Sequence, residues 1–179
     1  MFVAVGLSDE ARAEAARAID DLRPVVAAAR WVPPENLHAT VAFIGETPDA
    51  DAVIEAVTRA ASPFPPVRLV LEGLGAFPSW RRARVLWAGL TGEVAVLSAA
   101  ARAVGEALAP IGYEPEDRPY TAHVTLARLR SPGPVAAASA AVGPVSFLAE
   151  GLGVYRSLLG RPAARYERLA LAPFSASRA

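Results

Sequence analysis

At 179 residues, 53% apolar and 20% charged, the chain is long enough for one domain with a substantial core, and a disordered or fibrous protein is excluded. The absence of cysteine removes disulfides, thiol catalysis and thiolate metal sites together, which suits a cytoplasmic protein. Basic and acidic residues balance at 18 each and every basic residue is arginine, so a local phosphate pocket is permitted but a long nucleic-acid footprint is not.

Apolar runs are interrupted by Gly, Pro or charge well before 18 residues, so no membrane span is expected. Met1-Phe2-Val3-Ala4-Val5 lacks a basic lead-in, so no signal peptide is expected either. Phe2 to Leu7 reads as a buried strand. Ser8 caps a helix that Ala15, Ile19, Leu22 and Val26 carry at helical spacing to about Ala29, with Asp9 and Glu10 in its first turn. Pro33-Pro34 breaks the chain before a strand ending near Gly45. Asp49 to Ala61 is a second helix, closed by Pro63, Pro65 and Pro66.

Strands are expected at Val67–Leu74 and Ala83–Leu90, around a loop from Gly75 to Arg82. A third helix follows on Val94, Leu97, Ala101, Val104 and Leu108, stopped by Pro110 and Gly112. A link through Pro115 and Pro119 precedes another strand. A short alanine-rich helix is expected over Val135 to Val142, and two strands, Val145–Tyr155 and Arg165–Ala172, close the chain.

Two stretches stand out: Asn36-Leu37-His38-Ala39-Thr40-Val41 and Thr121-Ala122-His123-Val124-Thr125-Leu126. They hold the only two histidines, each followed two places later by a threonine, although threonine is scarce. Each half reads helix, His-x-Thr strand, helix, strand, strand, which suggests an internal duplication. The expected fold is therefore α+β and bilobal, one two-lobed domain over residues 1–179. Two antiparallel sheets would line a central groove, with helices packed outside.

Residues i and i+2 of a strand face the same way, about 6.6 Å apart at a rise of ~3.3 Å. His38 and Thr40 thus present an imidazole beside a hydroxyl, as do His123 and Thr125. Imidazole takes or gives a proton near neutrality, with a reference pKa of about 6.5, and a hydroxyl can donate to a phosphate oxygen. Two such pairs converging on one phosphorus would supply the base and the acid that in-line displacement needs. A single histidine in an apolar strand is ordinarily a core residue; the matched threonines and the repetition set this pair apart. A metal site needs three or four ligands, and neither motif holds an Asp or Glu, so no metal is expected.

Trp31-Val32-Pro33-Pro34-Glu35-Asn36-Leu37-His38-Ala39-Thr40-Val41-Ala42-Phe43-Ile44-Gly45-Glu46 closely resembles the first motif of the two-histidine phosphoesterases. The branch it is most similar to is that of the RNA 2',3'-cyclic phosphodiesterases, also called 2'-5' RNA ligases. The likeness runs on through Gly75-Ala76-Phe77-Pro78, Arg84-Val85-Leu86-Trp87-Ala88-Gly89 and His123-Val124-Thr125-Leu126-Ala127-Arg128. It implies hydrolysis of an RNA-terminal 2',3'-cyclic phosphate to a 2'-phosphate without metal or nucleotide cofactor, with a reversible 2'-5' ligation. On the family pattern His123 is the general base and His38 the general acid, while Thr40, Thr125 and Arg128 hold the phosphate. The expected partners are RNA ends bearing cyclic phosphate, no membrane is involved, and a monomer is the default.

Strict alternation puts Arg128 on the face opposite His123, so it reaches the phosphate only if the strand ends or bulges before it. Arg130 follows at the mouth of the same strand. Phe43 has the wrong parity relative to His38 and is expected in the core. Phe2, Phe77, Trp80 and Tyr120 are candidates to stack a terminal base, and Arg81, Arg82 and Arg84 to contact an RNA backbone. Two rival readings use the same residues: a phosphodiesterase acting on a small cyclic-phosphate nucleotide, and an RNA- or nucleotide-binding module without turnover.

Overall fold

β1 (Phe2–Gly6) leads through Ser8, whose hydroxyl accepts from the Ala11 amide at 3.2 Å, into α1 (Asp9–Leu22). The helix stops seven residues short of Ala29 because Pro24 cannot supply the amide that would continue it. The freed segment instead forms β2 (Ala29–Trp31) and a 3-10 turn (Pro34–Asn36), then enters β3 (His38–Phe43). The second helix, α2 (Ala50–Ala61), is capped by the Asp49 carboxylate on the Ala52 amide at 2.8 Å. β4 (Val67–Phe77) absorbs part of the expected loop, a 3-10 turn (Trp80–Arg82) follows, and β5 (Ala83–Gly92) leads to α3 (Val94–Leu108). Then come β6 (His123–Gly133), β7 (Val145–Ala149), β8 (Gly151–Leu158) and β9 (Arg165–Pro173). The computed structural model describes residues 1–26, 28–46, 49–114, 119–135, 141–158, 160 and 164–177; most of the helix expected at Val135–Val142 lies outside them.

The order β7-β4-β5-β6-β3-β1-β8-β9, with β2 added alongside β6, makes one antiparallel nine-stranded sheet. The two expected sheets are its two arms. Among the described residues they join through one residue pair, Ala39 of β3 with Val124 of β6. The single strand expected over Val145–Tyr155 is two strands on different arms of the sheet, β7 at one edge and β8 between β1 and β9, because the chain crosses from one arm to the other at Glu150.

In both halves a helix precedes the His-x-Thr strand and strands follow it, but the halves exchange strands. β4 and β5 follow the first motif and flank the second; β8 and β9 follow the second and flank the arm of the first. One buried cluster gathers Val3, Val5, Ala39, Leu69, Leu71, Ala88, Val124 and Leu152 from the strands with Ala15, Ile19, Val53, Val57, Leu97 and Val104 from the helices. α1 packs on β6 and β7, α2 on β8, β9 and α3, and α3 on β3 and β4. The stretch Val94–Ile111 has a mean hydropathy of 1.5 over 18 residues, long and apolar enough to cross a membrane by composition. It buries Leu97, Ala100, Val104 and Leu108 in this core and carries an Arg102–Glu106 ion pair at 2.7 Å on its exposed side. The sheet's other face carries the histidines.

Candidate active site

The two motifs have matching local geometry. His38 Nδ1 donates to the Asn36 carbonyl and His123 Nδ1 to the Thr121 carbonyl, both at 2.7 Å. A carbonyl can only accept, so it fixes the proton of each neutral ring on Nδ1 and puts the lone pair on Nε2. Thr40 Oγ1 lies 3.0 Å from His38 Nε2 and donates to it in that tautomer. Each histidine faces a glycine on its other neighbouring strand, Gly6 beside His38 and Gly89 beside His123. With Ala39 opposite Val124, continued register would set His38 across from Thr125 and Thr40 across from His123. The sheet's seam therefore carries both pairs on one face.

Both strands bulge immediately after their motif. Val85 and Leu86 pair with Arg128 and Ala127, whereas Trp87 pairs with Thr125, so Leu126 is extra. Leu126 and Ala127 are consecutively buried, and Arg128 emerges on the His123 face. The bulge that Arg128 requires is present. On β3 the slip falls at Val41: Ala4 pairs with Thr40 but Val3 pairs with Ala42. Phe43 is consequently turned to the His38 face and is 59% exposed, not a core residue. The bulge reversed the parity that unbroken alternation would impose.

Aromatic rings surround His38. Phe2 stacks on it at 4.8 Å between centroids, Tyr155 stacks on Phe2 at 5.1 Å, and Tyr166 meets the imidazole edge-on at 5.4 Å. His123 touches Phe77 edge-on at 5.1 Å and lies 6.0 Å from Trp87. Burial pushes both imidazoles below their ordinary pKa, and the backbone hydrogen bonds at Nδ1 oppose this without overcoming it. The Arg12 guanidinium and the charge of His123 lower His38 further, and Arg128 lowers His123. Each histidine is thus within electrostatic reach of a cation, and His38 also of the other ring.

Of the proposed stacking residues, Phe2 is 4% exposed and serves as packing. Phe77 packs on Trp87 and His123. Tyr120 is half-buried with no partner for its hydroxyl among the described residues, and burial raises its pKa. Trp80, on the turn after β4, has no ring contact with either histidine among the described residues. Arg81, Arg82 and Arg84 are exposed at that turn and the start of β5. Arg130 lies on β6 two residues past Arg128.

Sequence reasoning missed Arg12, Asn36, Tyr155, Tyr166 and Trp87. Arg12 donates to the carbonyls of Pro34 at 2.9 Å and Leu37 at 3.2 Å, bracing the turn that delivers His38. Asn36 is buried, and its Nδ2 donates to the Ala164 carbonyl at 2.7 Å, tying that turn to the approach of β9. Only the position of Asn36 two residues before His38 could have flagged any of them. Among the described residues, no three His, Asp or Glu side chains are grouped as a metal site would need.

The family model LigT like Phosphoesterase matches residues 5–87 and 90–166. The chain belongs to that phosphoesterase family. It is 34% identical over 129 residues to a protein of Geobacillus stearothermophilus named RNA 2',3'-cyclic phosphodiesterase, a match covering 71% of this chain and 41% of that one. A protein of the same name from Archaeoglobus fulgidus is 32% identical over 134 residues, covering 75% of this chain and 74% of its own. The chain thus spans well under two thirds of the Geobacillus relative. Among solved structures, a Thermus thermophilus protein superposes with a TM-score of 0.84 at 29% identity over 99% of this chain and 98% of its own. Escherichia coli LigT in complex with 3'-AMP gives 0.79 at 28% identity over 98% and 97%. Among LigT-like phosphoesterases, then, the likeness extends over both arms of the sheet and both motifs.

Proposed function

We propose that this phosphoesterase hydrolyses RNA-terminal 2',3'-cyclic phosphate to a 2'-phosphate by a metal-independent acid–base mechanism. The observation that carries the reading is the matched pair of imidazoles on one sheet face, each with Nδ1 held by the carbonyl two residues before it, so that Nε2 is the proton-accepting nitrogen of both. His123 Nε2 takes a proton from water, the water oxygen bonds to phosphorus, the P–O3' bond breaks, and His38 passes a proton from Nε2 to O3'. Thr40, Thr125 and Arg128 hold the non-bridging oxygens, where charge builds in the transition state. Burial, with Arg128 adding to it, keeps His123 neutral and able to accept a proton. His38 starts neutral in the free protein and is protonated when the phosphate anion enters beside it. With a 5'-hydroxyl attacking phosphorus in place of water, the same transfers form a 2'-5' linkage, and run backwards they reopen it to the cyclic phosphate and a 5'-hydroxyl.

The names of the Geobacillus and Archaeoglobus relatives and the 3'-AMP bound by the Escherichia coli protein support an RNA-end substrate. The test is a cyclic-phosphate-ended oligoribonucleotide incubated with the protein in EDTA. A 2'-monophosphate product is expected, and His38→Ala or His123→Ala should each slow turnover by about 10²–10⁴-fold while binding persists. A 3'-monophosphate product would reverse the leaving group, and undiminished turnover in either variant would remove that histidine from the mechanism.

A further inference from the structure

β2 lies along β6 beyond the catalytic face, with Ala29 opposite Leu129, Arg30 opposite Arg128 and Trp31 opposite Ala127. Cross-strand partners point the same way, so Arg30 shares the face that the Leu126 bulge gives to Arg128. The alternate positions on both strands, Ala29, Trp31, Ala127 and Leu129, pack on the other side in a small apolar cluster with Val26 and Leu86. Two residues on, Arg130 projects to the same side as Arg128, while its backbone amide is held by the Ala28 carbonyl at 3.0 Å. All three arginines are exposed, and among the described residues none is in an ion pair.

Like charges directly opposite one another across a strand pair destabilise it. The arrangement becomes favourable when anions occupy it. Guanidinium groups are suited to this because each can grip a phosphate with two parallel hydrogen bonds. Directly opposed residues lie about 4.5–5.5 Å apart at Cα, so two long side chains can splay to adjacent phosphates of one strand. Arg128 being assigned to the reacting phosphate, we infer that Arg30, with Arg130 beside it, binds the next phosphodiester along the RNA. The substrate is then the end of a polynucleotide and not a lone cyclic nucleotide. This rests on the function proposed above.

Two substrates separate the possibilities: a nucleoside 2',3'-cyclic phosphate, which has no second phosphate, and a short oligoribonucleotide ending in a 2',3'-cyclic phosphate. Arg30→Ala should lower kcat/KM for the oligomer roughly three- to tenfold at low salt and leave the cyclic mononucleotide unchanged. Arg30→Lys should recover part of the oligomer's rate, since a point charge replaces the fork. An equal loss on both substrates, or no loss on either, overturns the inference. Binding of a labelled 3'-phosphate-ended oligomer, followed by anisotropy across a salt series, reads the same contact without turnover. The log–log slope should flatten by about 0.7 in Arg30→Ala, and an unchanged slope overturns the assignment. A wild-type protein that cleaves neither substrate refutes the proposed hydrolysis, and the slope still decides the role of Arg30.

Discussion

Arg128 stands opposite Val85 on β5, one residue out of step with the Thr125–Trp87 pair just before it. That slip puts a guanidinium on the face of His123 and close enough to lower its pKa. Arg128→Ala should cut kcat/KM for a cyclic-phosphate end by about 10²–10³-fold, the usual effect of removing one donor to developing charge. Arg128→Lys should fall between the two in the same steady-state assay, keeping the charge and losing the planar fork. A change confined to KM, with kcat intact, would make Arg128 a binding residue alone.

The His-x-Thr pairs were legible because two-residue parity is local: nothing between His38 and Thr40 or His123 and Thr125 can alter it. What lies after each threonine was not. A bulge belongs to the pairing of two strands, so Val41 and Leu126 look like any other apolar strand residues until β1 and β5 are laid beside them. Phe43 was misplaced for that reason. Tyr155 and Tyr166 come to His38 from strands more than 110 positions away, on an arm assembled by exchange between the halves. The helical period of α1 concealed its end, since Val26 fits the apolar spacing although Pro24 has no amide with which to continue the helix past Leu22.

The two imidazoles should shape the pH profile. Both have pKa values below the ordinary value near 6.5, chiefly through burial. In the free protein the protonated acid is therefore lost as pH rises, and kcat/KM should peak below about 6.5 and decline above it. The bound phosphate anion stabilises the imidazolium, so the kcat profile should sit at higher pH than that of kcat/KM. Rates measured from pH 4.5 to 9 at saturating and limiting substrate would show this. A flat profile would argue against proton transfer by either histidine.

Phe2 and Phe43 face each other across β1 and β3 with ring centroids 6.2 Å apart, yet they differ in burial, at 4% and 59% exposed. Phe2→Ala should destabilise the fold by about 3–5 kcal/mol, as expected for a buried ring. Phe43→Ala should stay within about 1 kcal/mol, because little of its ring leaves water on folding. Urea melts of the two variants make the comparison. Equal losses would return Phe43 to the core.

Gly75 and Gly6 lie on the groove face of the two arms and should respond oppositely to alanine. At Gly75 a Cβ would collide with the six-membered ring of Trp87, so the indole must move, and with it Phe77, which meets His123 in a T-shaped contact. Gly75→Ala should cost about 1–3 kcal/mol and lower kcat through the displaced surroundings of His123. At Gly6, the last residue of β1, nothing lies within 4 Å of the added carbon, and replacing glycine there by alanine favours folding by roughly 0.4–1 kcal/mol through the unfolded chain's lost freedom. That carbon would nonetheless stand beside His38, its partner across the strands. Gly6→Ala should hold or raise the melting temperature while raising KM, because the methyl group fills space the substrate needs. Thermal melts and steady-state kinetics on both variants test the pair together. A Gly6→Ala protein with unchanged KM would show that the substrate does not approach His38 from this side.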